Sequence, residues 1–244
     1  MTGLEALAIT AAGALAGAVN TVVGSGSLIT FPTLLAVGYA PVTANVSNTV
    51  GLVPGGVSSM VGYRRELRGQ WRRCAILGIG TTAGAVLGGI LLLELPDAVF
   101  DAVVPALILL AVALMALRPS PKIHEDGNRM GGAIASAFGT GIYGGYFGAA
   151  QGIILISLLR LSFAEPLQVL NAIKNVLAGL ANLVAGILFI AVADVAWGAA
   201  LLIAAGSVVG AQVGARYGRR LPGEILRRIV IVYGTIVAVI LILT

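Results

Sequence analysis

The chain has 244 residues, 58% hydrophobic and only 10% charged, with a mean hydropathy of +1.01. A soluble domain carries about 25% charged residues because its surface must face water, so lipid has to be the outer solvent here. The net charge of +5 does not indicate a nucleic-acid partner, because the arginines sit in short loops between apolar segments, the pattern of cytoplasmic loops. Cys74 is the single cysteine, which excludes an intrachain disulfide.

In chain order, Met1 to Ala18 has no basic n-region and its hydrophobicity does not stop at a cleavage site. It is expected to be the first membrane segment rather than a removable signal. Apolar segments are predicted at 4–22, 27–38, 42–62, 72–93 and 98–117. A polar stretch, 118–129, follows, and then segments at 130–148, 151–161, 167–192, 197–217 and 225–243. About 20 helical residues at ~1.5 Å each match a hydrocarbon core of ~30 Å. The short segments 27–38 and 151–161 reach only ~17–20 Å as helix.

The second five segments repeat the first five. At an offset of 126, Trp71 falls on Trp197, Gly84 on Gly210, Gly88 on Gly214 and Leu95-Pro96 on Leu221-Pro222. At 127, Asn48-Thr49-Val50 falls on Asn175-Val176-Leu177, and at 124, Gly24 falls on Gly148. The matches keep their order with small drifts, as an internal duplication requires.

Charge orients the two halves. The loop from Arg64 to Arg73 holds five arginines, whereas its repeat partner around Asp194 holds none. Conversely, the turn from Arg216 to Arg228 holds five arginines, and its partner holds Glu94, Asp97 and Asp101. Equivalent loops thus belong on opposite sides of the membrane, which defines an inverted-topology repeat. The expected architecture is an all-α polytopic membrane protein. Residues 1–117 and 130–244 form the two repeats, joined by a cytoplasmic linker at 118–129. Each repeat is a broken or re-entrant helical hairpin followed by three transmembrane helices, and both termini lie outside.

The breaks are the first place to look for chemistry. Asn20-Thr-Val-Val-Gly24-Ser25-Gly26-Ser27 interrupts the first hairpin, and Gly144-Gly-Tyr-Phe-Gly148-Ala-Ala-Gln151-Gly152 the second. Broken backbone at membrane depth survives only where protein or a water-filled cavity satisfies it. Helix N-termini at such breaks offer free N–H groups to an anion; alternatively, the glycines serve close helix packing. Their occurrence at corresponding positions favours binding.

The next segment of each half is polar on one face: Ala44-Asn45-Val-Ser47-Asn48-Thr-Val50, and Asn171-Ala-Ile-Lys174-Asn175. Asn171 and Asn175 share a helix face, with Lys174 beside them. These amides are expected to point inward, either as binding groups or as helix-to-helix hydrogen bonds. Lys174 is an intramembrane ionisable residue and a functional candidate by default; the alternatives are snorkelling or a pair with Glu165. All ten Asp and Glu sit near segment ends or in loops, which disfavours carboxylate cation sites and proton relays. A lysine, asparagines, hydroxyls and helix N-termini suit an anion.

An enzyme is not expected. Gly24-Ser25-Gly26 invites comparison with a serine hydrolase, but the only histidine, His124, lies in the polar linker. Neither the His- or Asp-rich clusters of a membrane metalloenzyme nor any cofactor is expected. Trp71 and Trp197 read as interfacial anchors, and Pro32 and Pro54 as residues that kink or end helices.

Gly13-Ala-Leu-Ala-Gly17, continuing through Gly24-Ser25-Gly26-Ser27 to Phe31-Pro32-Thr-Leu-Leu35, resembles the first signature of the sulfite exporter TauE/SafE family. Ala44 to Val50 and Asn171 to Asn175 resemble its paired second signatures. The resemblance covers nearly the whole chain. It implies a bacterial-type plasma membrane permease for sulfite, thiosulfate, sulfonates or small organic anions, working without ATP by alternating access with a coupling ion. The chain departs from the family pattern in three places. Gly-Ser-Gly-Ser stands where a glycine run is common, Gln151 stands where glycine is usual, and no proline matches Pro32 in the second half.

The expected substrate-binding set is Asn45, Ser47, Asn48, Asn171, Lys174, Asn175, Gln151, Ser25, Ser27 and Asn20. The expected partners are a small anion, the lipid bilayer and a coupling ion. A passive anion channel and a non-transporting subunit of a larger complex are the alternatives at this stage.

Overall fold

The computed structural model describes residues 1–117 and 129–218, together with 231, 232 and 235. Nine helices and no strand are found among the described residues. They are α1 (Gly3–Val22), α2 (Ser27–Ala36), α3 (Pro41–Gly62), α4 (Trp71–Glu94), α5 (Asp97–Leu117), α6 (Met130–Tyr146), α7 (Gln151–Ser162), α8 (Leu167–Val192) and α9 (Trp197–Tyr217). The segments expected from hydropathy match these helices to within a few residues. The last expected segment (225–243), most of the 118–129 linker with His124, Leu221-Pro222, and the arginines after Arg216 lie outside the described residues.

Five helices, α1, α4, α5, α8 and α9, have both the length and the hydropathy to cross a membrane. Helix α3 has the length, but Asn45, Ser47, Asn48, Ser58 and Ser59 lower its hydropathy, and all five are buried. The surface is built for lipid: Ile79, Leu201, Ile187 and Val209 are each more than 60% exposed, while eighteen polar or charged residues are buried inside. Apolar side chains outside and hydrogen-bonded polar groups within is the arrangement that hydrocarbon requires.

Helix packing relies on small residues. Along α9, Gly206, Gly210 and Gly214 rest on the carbonyl oxygens of Thr10, Ala14 and Ala18 in α1. Along α4, Gly80, Gly84 and Gly88 rest on the carbonyls of Ile134, Phe138 and Ile142 in α6. A β-carbon at Gly210 would stand 1.8 Å from the Ala14 oxygen, and one at Gly88 would stand 2.0 Å from the Ile142 oxygen. Without side chains the backbones approach closely enough for dispersion and Cα–H···O contacts, the forces left when hydrophobic burial cannot drive association in lipid. The two seams use residues at the repeat offsets of 126 and 124. Helices α3 and α8 cross at the centre, and α3 also packs on α9 as α8 does on α4.

Pro32 and Pro54 both stand inside continuous helices and end neither. Each removes one backbone donor from its helix. Trp71 and Trp197 open α4 and α9 and are 57% and 51% exposed, as residues at an interface should be. At the end of the Arg64–Arg73 segment, Arg73 is bonded to Glu165 at 2.9 Å and lies over the Phe163 ring. This takes Glu165 away from Lys174.

Candidate functional site

Each hairpin breaks in the same way. At the end of α1, the N–H groups of Val23 and Gly24 both turn back to the Val19 carbonyl, at 2.7 and 3.0 Å. At the end of α6, those of Phe147 and Gly148 both turn back to Tyr143, each at 2.9 Å. Gly24 (φ +90°) and Gly148 (φ +77°) supply the left-handed residue that ends a helix without a Cβ clash. Residue 150 takes the same region with a side chain, Ala150 at φ 59°, and is locally strained. The two breaks meet: the Gly152 N–H donates to the Gly24 carbonyl at 3.0 Å, and a β-carbon on Gly24 would come within 2.5 Å of Gly152.

Turning the chain back in this way leaves the next carbonyls of each helix without a backbone donor. The polar faces of the crossing helices supply the donors. From α8, Lys174 Nζ donates to the Asn20 carbonyl at 2.9 Å and more distantly to Thr21 at 3.5 Å. Asn171 Nδ2 donates to Thr21 O at 3.1 Å and to the Tyr63 hydroxyl at 2.9 Å, and Asn175 Nδ2 reaches Thr21 O at 3.3 Å. From α3, Asn45 Nδ2 donates to the Tyr146 carbonyl of α6 at 2.9 Å. Asn45 and Asn171 stand 126 residues apart and do the same work on opposite halves. Each also leaves its buried Oδ1 without a partner.

The remaining expected residues divide. Asn20 Oδ1 accepts from the Gly26 N–H at 3.3 Å, pinning the first break. Asn48 bridges to the start of α2, donating to Ser27 Oγ at 3.2 Å and accepting from Thr30 Oγ1. Ser25, at the same break, is buried with no partner for its hydroxyl. Ser47 and Gln151 bond to other elements. Ser47 Oγ accepts from the Ala196 N–H at 2.8 Å, at the start of α9. Gln151 Nε2 donates to the Thr140 carbonyl at 3.0 Å, with its side chain lying over Gly144.

Several residues that complete the cluster carry little sequence signal. Tyr63 is fully buried at the end of α3, and Thr21 and Ser59 share a hydroxyl–hydroxyl contact at 2.5 Å. Asn182 lines, with Asn20, Ser59 and Asn175, a cavity of about 10 Å³, room for one water. Its i+7 spacing from Asn175 is the signal that could have found it. Lys174 is 0% exposed, which rules out snorkelling in this conformation. No carboxylate pairs with it among the described residues. The centre is closed, and its donors are engaged on helix ends.

A multi-pass helical membrane protein, with two broken hairpins meeting at a buried polar centre, has the build of a membrane transporter. The chain matches the family described as Sulfite exporter TauE/SafE over residues 9–241, and it belongs to that family. A "Probable membrane transporter protein" of Haemophilus influenzae is 30% identical over 223 residues, covering 88% of this chain and 86% of the relative. "Probable membrane transporter protein ORF9" of Sinorhizobium sp is 25% identical, with 92% and 87% covered. "Probable membrane transporter protein YfcA" of Escherichia coli K12 is also 25% identical, with 92% and 84% covered. No solved structure gives a significant match.

Proposed function

We propose that the protein is a secondary transporter, with no catalytic activity, that moves a small sulfur-containing or organic anion such as sulfite, thiosulfate or a sulfonate across the plasma (inner) membrane by alternating access. The observation that carries the reading is the meeting of the two breaks at the Gly152–Gly24 hydrogen bond, beside a buried lysine and four buried asparagines. A buried ammonium with no carboxylate partner is a centre of positive potential. Amide donors around it can replace the hydration shell of an anion.

The two repeats, 1–117 and 130–244, are inverted relative to one another, with a cytoplasmic linker at 118–129 and both termini outside. The matching seams α1–α9 and α6–α4 support the duplication, and the charge of equivalent loops supports the inversion. Lys174 balances the anion's charge. Asn45, Asn48, Asn171 and Asn175 supply donors, and Asn20, Ser25 and Ser27 contribute from the first break. Ser47 and Gln151 act by holding neighbouring elements in place. The closed arrangement keeps these donors on the helix ends, and a coupling ion drives the exchange.

The test is uptake and counterflow of labelled sulfite, thiosulfate, sulfate and a small sulfonate in proteoliposomes. Saturable flux of one anion with countertransport, lost in Lys174→Ala, is expected. Absence of flux for all of them, from folded protein, would remove the anion-carrier reading, and flux without countertransport would make the protein a channel.

A further inference from the structure

The end of α1 and the end of α6 are the same structure with different caps. Both helices stop on a glycine at positive φ, and both fold two N–H groups onto the carbonyl of the residue five before that glycine. Both then expose a carbonyl that is capped by an asparagine from the opposite repeat. At α6 that cap is neutral. At α1 an ammonium is added: Lys174 Nζ lies 2.9 Å from the Asn20 carbonyl and within 3.5 Å of Thr21.

A helix C-terminus carries about half a negative charge on its free carbonyls, and broken helices in transporters use such ends to coordinate sodium or other cations. The surroundings of Lys174 contain the parts of such a cation site. Two backbone carbonyls converge on Nζ, and the Asn171 Oδ1 of the same cluster is buried without a donor. The lysine stem fills the approach, since its Cδ lies 3.0 Å from where a β-carbon on Gly152 would be.

We propose that the carbonyl end of α1 is a monovalent-cation site filled by the protein's own Lys174 ammonium, so that this charge reaches the substrate anion only when α8 and the α1 break separate. The second half of that statement rests on the anion-carrier reading, whereas the first stands on the geometry alone. An anion cannot displace the carbonyls while the centre is closed, because it would face the negative end of α1. The same tether makes an exchangeable sodium ion unnecessary at this end.

The test follows unfolding rather than flux, so the two readings can fail separately. The purified full chain is melted in detergent with sodium, potassium or methylammonium chloride, each against choline chloride at equal ionic strength. Wild type is expected to show no cation-specific shift. Lys174→Ala is expected to melt lower and to be restored saturably by methylammonium or sodium but not by choline. At a concentration about ten times the dissociation constant, such binding raises the folded-to-unfolded ratio ~10-fold. A sodium-specific shift in wild type would overturn the proposal, as would a Lys174→Ala variant that no cation restores. Should Lys174→Ala not fold, Lys174→Gln decides, since its side chain is one bond shorter and carries no charge to the carbonyls. Saturable stabilisation of that variant by sodium or methylammonium but not by choline supports the cation site, and a melting temperature that no cation raises overturns it. Loss of anion flux in every assay would leave these outcomes untouched.

Discussion

Replacing Gly88 by alanine probes the seam on which the architecture depends. The added β-carbon would stand 2.0 Å from the Ile142 carbonyl oxygen and 2.9 Å from the Tyr146 nitrogen. Real β-carbons essentially never approach closer than 3.0 Å, so α4 and α6 must part by at least about 1 Å, and a gap of ~0.5–1 Å already forfeits a quarter to a half of each dispersion contact. The obstacle is backbone on a neighbouring helix, which cannot swing aside as a side chain would. Overpacking of this kind costs about 1–3 kcal/mol, or roughly 2–12 °C of melting temperature for a chain of this size. The assay is thermal unfolding of the purified full chain in detergent, followed by tryptophan fluorescence. Two controls make it specific. Gly214→Ala, at the equivalent position of the other seam, meets its obstacle at 2.8 Å and should cost less. Gly139→Ala, exposed on α6 with nothing within 4 Å, should be neutral or gain up to ~1 kcal/mol of helix propensity. A Gly88→Ala variant melting within ~1 °C of wild type, or a Gly139→Ala variant that loses as much, would refute the close-packed seam.

Two further perturbations bear on the breaks. Ala150→Gly should raise the melting temperature: a left-handed alanine costs about 1–2 kcal/mol, and the chain entropy of glycine takes back ~0.5–1. A fall would show that the Ala150 methyl, buried at 0% exposure, packs for more than its strain. Gly144→Ala should destabilise, because its β-carbon would lie 2.3 Å from Gln151 Nε2. Adding Gln151→Ala should recover part of that loss, a coupling of ~0.5–3 kcal/mol in a double-mutant cycle. Strict additivity of the two substitutions would show that the Gln151 side chain does not occupy that space.

Local features were legible in the chain itself. Hydropathy placed the nine described helices, including the two too short to span a bilayer, because segment length and composition are set residue by residue. The glycine breaks and the inward polar faces of α3 and α8 were legible for the same reason. Tyr63 was not, since a tyrosine at a helix end looks the same whether or not it faces a polar centre, and Asn182 showed itself only through its i+7 spacing from Asn175.

What Lys174 bonds to was decided only by tertiary structure. The sequence placed a lysine within an apolar segment and left snorkelling or a pair with Glu165 open, while the absence of carboxylates from the membrane segments pointed to an anion. The fold brought that charge to Asn20 O and Thr21 O, more than 150 residues away in sequence, and gave Glu165 to Arg73 instead. It also bonded Ser47 to the start of α9 and Gln151 to the backbone of α6. The reason is physical: a helix end left short of donors is visible only once its partner helix is in place, and in a medium without water the nearest buried donor must turn to it.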